Sequence, residues 1–253
     1  MITIYWHSGT VLACQRNLAN RELIMAKKTI GSVPGSVLDM LADLNLKLRE
    51  GVITPRELEV FLKRRNPFAS IQDLITEWRD FYRRFFDVKT VHLKGLNVPE
   101  RASGYDRLIV MPAGLTVGRT LKVCAKLFDV SFSVKIDSNK DLQSNERSPA
   151  EQSYAIWARD CREADEELVG ISAAKLIGRE ISSMTFLERL IYGLKYFDET
   201  GCHLDCQRWT LCAGSRAYSD AVPLIGWRED KLCFALRGKN YAEDDFSARA
   251  VIG

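Results

Sequence analysis

TPRELEVFLKRRNPFASIQDLITEWRDFYRRFFD, residues 54–87, contains two helix-start signals in close succession. Thr54 precedes Glu57 and Ser70 precedes Asp73, and each pair is a capping box in which the two side chains accept each other's backbone N–H groups. A proline follows Thr54 at the first helical position, which proline favours. Apolar residues then recur at helical spacing to the end of the stretch. The stretch therefore predicts two helices joined by a short connection.

A further helix is predicted immediately before this stretch. Ser36 with Asp39 is another capping-box pattern, and apolar residues follow it at helical spacing as far as Leu48. Gly51 is placed to end that helix in a left-handed conformation. Connections this short predict a three-helix unit over residues 30–87.

From residue 88 onward the pattern changes to strands with helices between them. Residues 107–111 are a continuous apolar run typical of a buried strand, residues 116–128 have helical spacing, and residues 130–136 alternate. This order suggests a β-α-β unit. Residues 137–152 are polar and turn-forming, and they predict an exposed loop.

The last third of the chain continues this mixture. Thr185 with Glu188 predicts the start of an amphipathic helix that ends at Gly201. Short apolar strands follow, with Glu229-Asp230 as the turn of one hairpin. The predicted fold class is α+β: an N-terminal three-helix unit followed by a mixed-sheet α/β domain over residues 88–253.

Residues 1–29 do not fit either part. The first 24 residues have no basic start, no sustained apolar stretch and no small-residue cleavage site, so they are not a secretory signal. Arg-Glu codons resemble a ribosome-binding site, and such a pair precedes Met25. We therefore expect a non-native or disordered leader, with Met25 as the natural start. An ordered strand over residues 2–6 is the alternative.

The overall composition excludes several classes of protein. Lys and Arg total 36 against 33 Asp and Glu, a net charge of +3, which is too small for a protein that wraps polyanions. No apolar run approaches the roughly 20 residues that a membrane helix needs. Seven scattered cysteines are an odd number in a chain long enough to need no disulfides. The sequence therefore predicts a cytoplasmic protein with no membrane partner.

Three blocks carry a resemblance to other proteins: SYAIWARDCREADEEL at residues 153–168, TFLERLIYGLKYFDETGCHLD at 185–205 and WTLCAGSR at 209–216. Together they resemble a family of uncharacterised bacterial proteins, over roughly Met25 to the C-terminus. The resemblance implies a bacterial origin but no activity, because the family has no assigned function. Cys202 lies outside the family's pattern, as does Cys206.

The densest cluster of metal-binding residue types follows the predicted helix that ends at Gly201. Thiolates and imidazole are the ligands that zinc prefers, and the zinc candidates are Cys202, His203, Cys206 and Cys212. Their C-x3-C-x5-C spacing lacks a second two-residue knuckle, and buried free thiols are the alternative. Cys212 is also a candidate nucleophile, with His203 as the base and Asp205 as the carboxylate that orients it. The alternative is that Cys212 is a residue of the hydrophobic core.

Residues 154–159 predict a further strand, and acidic residues crowd its end. Carboxylates at a strand end can hold Mg²⁺, and this group consists of Asp160, Glu163, Asp165, Glu166 and Glu167. Acids in a first helical turn also complement the helix dipole without any ion. We predict no cofactor, with zinc and magnesium left open.

One functional hypothesis is catalytic. A metal-dependent hydrolase or phosphate-handling enzyme would place its site at strand ends of the second domain, with Asp160, His203, Asp205 and Arg216 as the catalytic candidates. This hypothesis requires segments distant in sequence to meet.

The leading hypothesis is a binding protein that engages nucleic acid or a protein partner through its basic helical unit. Basic side chains one helical turn apart can face phosphates together, and the candidates are Lys63, Arg79, Arg83 and Arg84. Asp80 is spaced to pair with Arg84, which would leave an ordinary solvated face. A structural or interaction module without catalysis is a third alternative.

Overall fold

The computed structural model describes residues 34–62, 66, 68–87, 93, 96–132 and 141–253. The predicted leader over residues 1–29 lies outside the described residues, as does Lys63. The chain divides into two units between Asp73 and Leu74. None of the helices in the described ranges has the length and apolar run that a membrane crossing requires.

The first unit is helical in its described residues, with α1 (Gly35–Arg49), α2 (Pro55–Leu62) and the first residues of α3 (Ile71–Phe86). Two of its predicted capping boxes are confirmed. The Thr54 N–H donates to the Glu57 carboxylate at 2.7 Å, while the Glu57 N–H donates to the Thr54 hydroxyl at 3.2 Å.

The start of α3 has the same reciprocal pattern. The Ser70 N–H donates to Asp73 at 2.9 Å, and the Asp73 N–H donates to the Ser70 hydroxyl at 3.2 Å. The predicted start of α1 at Ser36 is wrong, because the helix already begins after Pro34, which has no side-chain acceptor to cap it. Gly51 has a φ of 72° after the end of α1, as predicted.

In its described residues the second unit contains three sheets and, after α3, three further α-helices. The helices are α4 (Val117–Leu127), α5 (Ala173–Gly178) and α6 (Phe186–Thr200). The strands in chain order are β1 (Arg107–Met111), β2 (Val130–Phe132), β3 (Leu142–Asn145), β4 (Tyr154–Ala158), β5 (Trp209–Leu211), β6 (Ser215–Ala217), β7 (Ala221–Arg228), β8 (Lys231–Gly238), β9 (Phe246–Ala248) and β10 (Val251–Ile252). Helices followed by these sheets confirm the α+β fold class.

The sheets combine antiparallel and parallel pairs. A three-stranded antiparallel sheet has the order β1-β4-β10, and a five-stranded sheet has the order β2-β8-β7-β5-β9. In the larger sheet β2 pairs with β8, and β5 pairs with β9, in parallel. A two-stranded antiparallel sheet joins β3 to β6.

Two sequence predictions about this unit are wrong. The suggested β-α-β unit does not form, because β1 and β2 belong to different sheets. The predicted loop over residues 137–152 contains β3 at Leu142–Asn145. Its last three side chains are exposed, and this polar segment pairs with β6 through the backbone and through the Ser215 hydroxyl, which donates to the Asn145 side-chain oxygen at 2.5 Å.

Most of α3 packs against β1 within the second unit. The Trp78 indole N–H donates to the Leu108 carbonyl at 3.1 Å, and the Tyr82 hydroxyl donates to the Val110 carbonyl at 2.6 Å. Both rings are buried. These two bonds join the face of the helix to the strand backbone.

The longest helix of the second unit, α6, is buried over most of its length. Its predicted capping box at Thr185 is confirmed, and Gly201 ends it with a φ of 68°. The buried face of α6 carries charged as well as apolar side chains, and these lead to the candidate site.

Candidate functional site

Two buried arginines share one buried aspartate beside α6. Arg189 donates through Nε to Asp205 at 2.6 Å, and Arg249 donates through Nη2 to the other Asp205 carboxylate oxygen at 2.6 Å. All three residues are at most 2% exposed. The Thr210 hydroxyl also donates to this carboxylate. We call Arg189 and Arg249 the buried arginine pair.

Asp205 is held ionised by this arrangement. Burial raises the pKa of its carboxyl group, but the charges of Arg189 and Arg249 outweigh burial and hold the pKa below its usual value. Because its oxygens already accept donors from three side chains, Asp205 serves as the anchor of the arginine pair. Its geometry does not fit the orienting role toward a neighbouring histidine.

His203 lies in an aromatic stack. Its ring is parallel to Trp227 at a centroid distance of 3.3 Å and to Phe197 at 4.8 Å, with Phe128 edge-on at 5.0 Å. Burial, followed by the charges of Arg162 and Arg189, lowers the pKa of His203 to about 4. The imidazole is therefore neutral at neutral pH, and it is a weak general base.

A cavity lies between this stack and α6. Its lining consists of Cys124, Phe128, Arg189, Leu190, Gly193, Leu194, His203, Leu204, Trp227 and Leu232. About 20 Å³ is open to the centre of a water molecule. Burial raises the pKa of the Cys124 thiol to about 12, so this wall presents a neutral thiol.

Asp160 belongs to the same charged region. Burial raises the pKa of Tyr192; Asp160 raises it further, whereas Arg249 and Arg107 lower it. The Tyr192 ring has the Arg107 and Arg249 guanidinium carbons each 5.3 Å from its centroid. Asp160, His203 and Asp205 thus all lie near buried arginines.

Arg216 makes its contacts elsewhere. Its guanidinium donates to the Ala213 and Ser215 carbonyls, both at 2.7 Å, and lies 3.5 Å from Asp220. These contacts close the turn before β6. Of the four catalytic candidates, Asp160, His203 and Asp205 therefore lie near the buried arginines. The guanidinium of Arg216 contacts residues close to it in sequence.

The zinc candidates do not converge on one point. Cys212 is fully buried in the core. Cys206 accepts a hydrogen bond from Arg162 at 3.2 Å and donates to the His203 carbonyl at 3.4 Å, while Cys202 is half-buried. Within the described residues, no group of three or more His, Cys, Asp or Glu side chains is arranged to hold a metal ion.

The acidic cluster is occupied by protein contacts. The Glu163 carboxylate accepts the backbone N–H groups of residues 206, 207 and 208 at 3.1–3.2 Å. Asp165 accepts from Arg159 at 2.5 Å and from the Ala250 N–H at 2.8 Å. Glu166 pairs with Arg208, and Glu167 pairs with Arg159. These carboxylates hold neighbouring segments together.

The basic side chains of α3 are largely paired. Arg84 makes two 2.7 Å bonds to Asp198, and Arg83 pairs with Asp80 at 3.1 Å. The partner of Arg84 is thus Asp198, in place of the Asp80 contact considered from the sequence. Arg79 makes no hydrogen bond or ion pair with a described residue.

Sequence reasoning missed the buried arginine pair. Arg249 had one signal: it stands between Ala248 and Ala250 in an otherwise apolar terminal segment, where a charge needs a buried partner. Arg189 follows Glu188 in a helix whose buried residues are mostly apolar, so its position also indicated a buried charge.

No protein-family model matches the chain, and neither the curated proteins nor the solved structures contain a match to it. The bacterial family resemblance and the cytoplasmic location therefore stay predictions.

Proposed function

We propose that this protein is a binding protein that docks a protein partner through α1, and that the partner is a second copy of the same chain. The observation that carries this proposal is the exposure of α1. The helix buries none of its residues. Its exposed large apolar side chains are Val37, Leu38, Met40, Leu41 and Leu46, at 39–67%. Val37 and Leu41 share one face of the helix, and exposed apolar surface of this kind is typical of interaction sites.

The apolar residues of α1 include a regular seam. Val37, Leu41, Leu44 and Leu48 follow one another at intervals of four, three and four residues, which places them on one face of the helix. This is the spacing by which two helices interlock side chains in a coiled coil. Val37 and Leu41 are exposed and Leu44 and Leu48 are half-buried, and the seam supports a helix as the structure that covers its exposed part.

The charges of α1 favour a second copy in the antiparallel direction. Asp39 lies in its first half and Arg49 in its last turn, while Asp43 and Lys47 pair with each other at 2.6 Å within the helix. A symmetric antiparallel pair sets Asp39 of each helix toward the Arg49 end of the other. The two helix dipoles then also oppose each other favourably.

A nucleic-acid partner has less support. Arg83 and Arg84 are engaged by carboxylates, and a net charge of +3 is small for phosphate binding. Nucleic acid is therefore treated as a competing outcome in the test.

The test is the oligomeric state of the full chain, measured by analytical ultracentrifugation over a range of concentrations. We expect a dimer that Leu41→Glu converts to a monomer, since the substitution places a carboxylate in the middle of the seam. Ile177→Glu is the matched control, because Ile177 is a 52% exposed apolar residue on α5 that does not belong to the seam; it should stay dimeric.

Three outcomes oppose the proposal. They are a wild-type monomer at every concentration, a dimer that survives Leu41→Glu, and salt-sensitive binding of mixed DNA or RNA by the wild-type monomer. Far-ultraviolet circular dichroism of each variant checks that its helices are retained.

A further inference from the structure

We infer that the cavity beside α6 is a binding site for a small carboxylate anion, with Arg189 as its cationic partner. The site belongs to the second unit and does not depend on the docking surface of α1.

The cavity has a buried floor and a half-buried rim. Cys124, Arg189 and Leu194 are at most 2% exposed, whereas Phe128, His203 and Trp227 at the rim are partly exposed. The space of about 20 Å³ open to water centres exceeds the roughly 10–15 Å³ that one water requires. A ligand there is limited to very few heavy atoms, and formate is the smallest carboxylate.

Arg189 has a donor left over on the cavity side. Its Nε and Nη2 both lie 2.6 Å from Asp205, while Nη1 makes no hydrogen bond with a described residue. Gly193 lines the cavity, and a Cβ there would lie 2.6 Å from Nη1. Because Gly193 has no side chain, Nη1 of Arg189 can occupy the space beside it.

The local charge balance favours an anion. Arg189 and Arg249 share the carboxylate of Asp205, and Arg249 also has Asp165 nearby. Among the described residues Arg189 has no carboxylate partner other than the one that it shares, so a carboxylate near Nη1 is attracted there and a cation is repelled. A carboxylate also accepts a guanidinium N–H in a short, charge-assisted bond.

The neutral residues of the cavity lining restrict the charge that a ligand can carry. The thiol of Cys124 and the imidazole of His203 are both neutral at pH 7, because burial raises the pKa of the thiol and lowers the pKa of the imidazole. Arg189 is therefore the charged group of the lining, which calls for a single negative charge on the ligand. A small monocarboxylate meets this condition.

The test is a titration of the isotope-labelled full chain with sodium formate, followed by two-dimensional ¹H–¹⁵N NMR. We expect saturable shifts of the Gly193 amide and the Trp227 indole N–H with a millimolar midpoint. Formamide is the matched ligand control, since it has the same shape without the charge, and sodium chloride is the control for ionic strength. Shifts of equal size with formamide or chloride, or shifts that do not saturate with formate, would overturn the site.

A cavity-filling variant gives an independent readout. Cys124→Leu places a larger apolar side chain in the cavity without removing Arg189, and we expect it to weaken formate binding at least tenfold. Cys233→Leu is its control, because Cys233 is half-buried on β8 and outside the lining, and it should bind as the wild type does. Unchanged formate binding by a folded Cys124→Leu would also contradict the inference. If that variant does not fold, the comparison of formate with formamide in the wild type still decides.

Discussion

Arg189 on α6 and Asp205 in the segment before β5 form an ion pair at 2.6 Å in which neither side chain is more than 2% exposed. Arg249, directly after β9, binds the same carboxylate at 2.6 Å. One aspartate thereby joins a helix to two separate segments of the C-terminal half. Breaking a buried pair of this kind is costly, because the charges left behind remain buried.

Asp205→Asn should therefore be strongly destabilising. The amide keeps the size of the side chain but removes the negative charge that Arg189 and Arg249 share, and we expect the free energy of unfolding to fall by about 3–5 kcal/mol. Urea denaturation followed by tryptophan fluorescence measures this. Asp80→Asn is the control, because its pair with Arg83 is exposed, and it should change stability little. Equal losses in the two variants would show that Asp205 is not the anchor.

His203 should make stability depend on pH in the acidic range. Its pKa is about 4 in the folded state against an ordinary value of 6.5, because burial and then Arg162 and Arg189 disfavour the imidazolium. Between these two values the unfolded chain binds more protons, so stability is present above pH 6.5 and is lost as the pH falls toward 4.

His203→Phe provides the comparison for this titration. Phenylalanine keeps a ring against Trp227 and Phe197 but cannot be protonated. Urea midpoints at pH 7, 5.5 and 4.5 should fall less steeply for the variant than for the wild type, and the other titrating groups are common to both proteins. Parallel pH profiles would contradict the assignment.

Tyr82→Phe should weaken the attachment of α3 to β1. The substitution leaves the ring in place and removes the 2.6 Å bond to the Val110 carbonyl, for an expected loss of about 0.5–1.5 kcal/mol. Tyr218→Phe is the control at an exposed position and should be neutral. Urea denaturation of the two variants side by side distinguishes them, and equal stability would mean that water replaces the lost bond.

The local elements of the fold were predictable because their signals lie within a few residues of one another. Thr54 with Glu57 is such a signal, and its hydrogen bonds span three residues. The Glu229-Asp230 turn is confirmed between β7 and β8, where both residues have positive φ, at 49° and 59°. Strand partners were not predictable in this way, because β1 pairs with β4 almost fifty residues later, at a register that no local pattern encodes.

The residues of the candidate site show the same difference between local signals and long-range contacts. His203 and Asp205 are close in sequence and were singled out, but their roles depend on residues that join them only in three dimensions. Arg249 reaches Asp205 from 44 residues away. An arginine in an apolar run indicates a buried counter-charge without saying which carboxylate supplies it. The predicted nucleophile and zinc arrangements were therefore drawn from neighbours in sequence, while Asp205 has its partners elsewhere.

Gly214→Ala should disrupt the junction between the end of β5 and the start of α6. A Cβ at Gly214 would meet the backbone carbonyl of Ser183 and would lie 3.1 Å from the Thr185 nitrogen. Neither backbone atom can turn aside as a flexible side chain would, so the two segments must separate, at a cost of about 1–3 kcal/mol. Gly178→Ala is the matched control: its Cβ would meet nothing within 4 Å, and helical alanine is favoured over glycine. In thermal denaturation the Tm of Gly214→Ala should fall while that of Gly178→Ala holds or rises, and an unchanged Tm for Gly214→Ala would mean that the approach to Ser183 is looser than the structure has it.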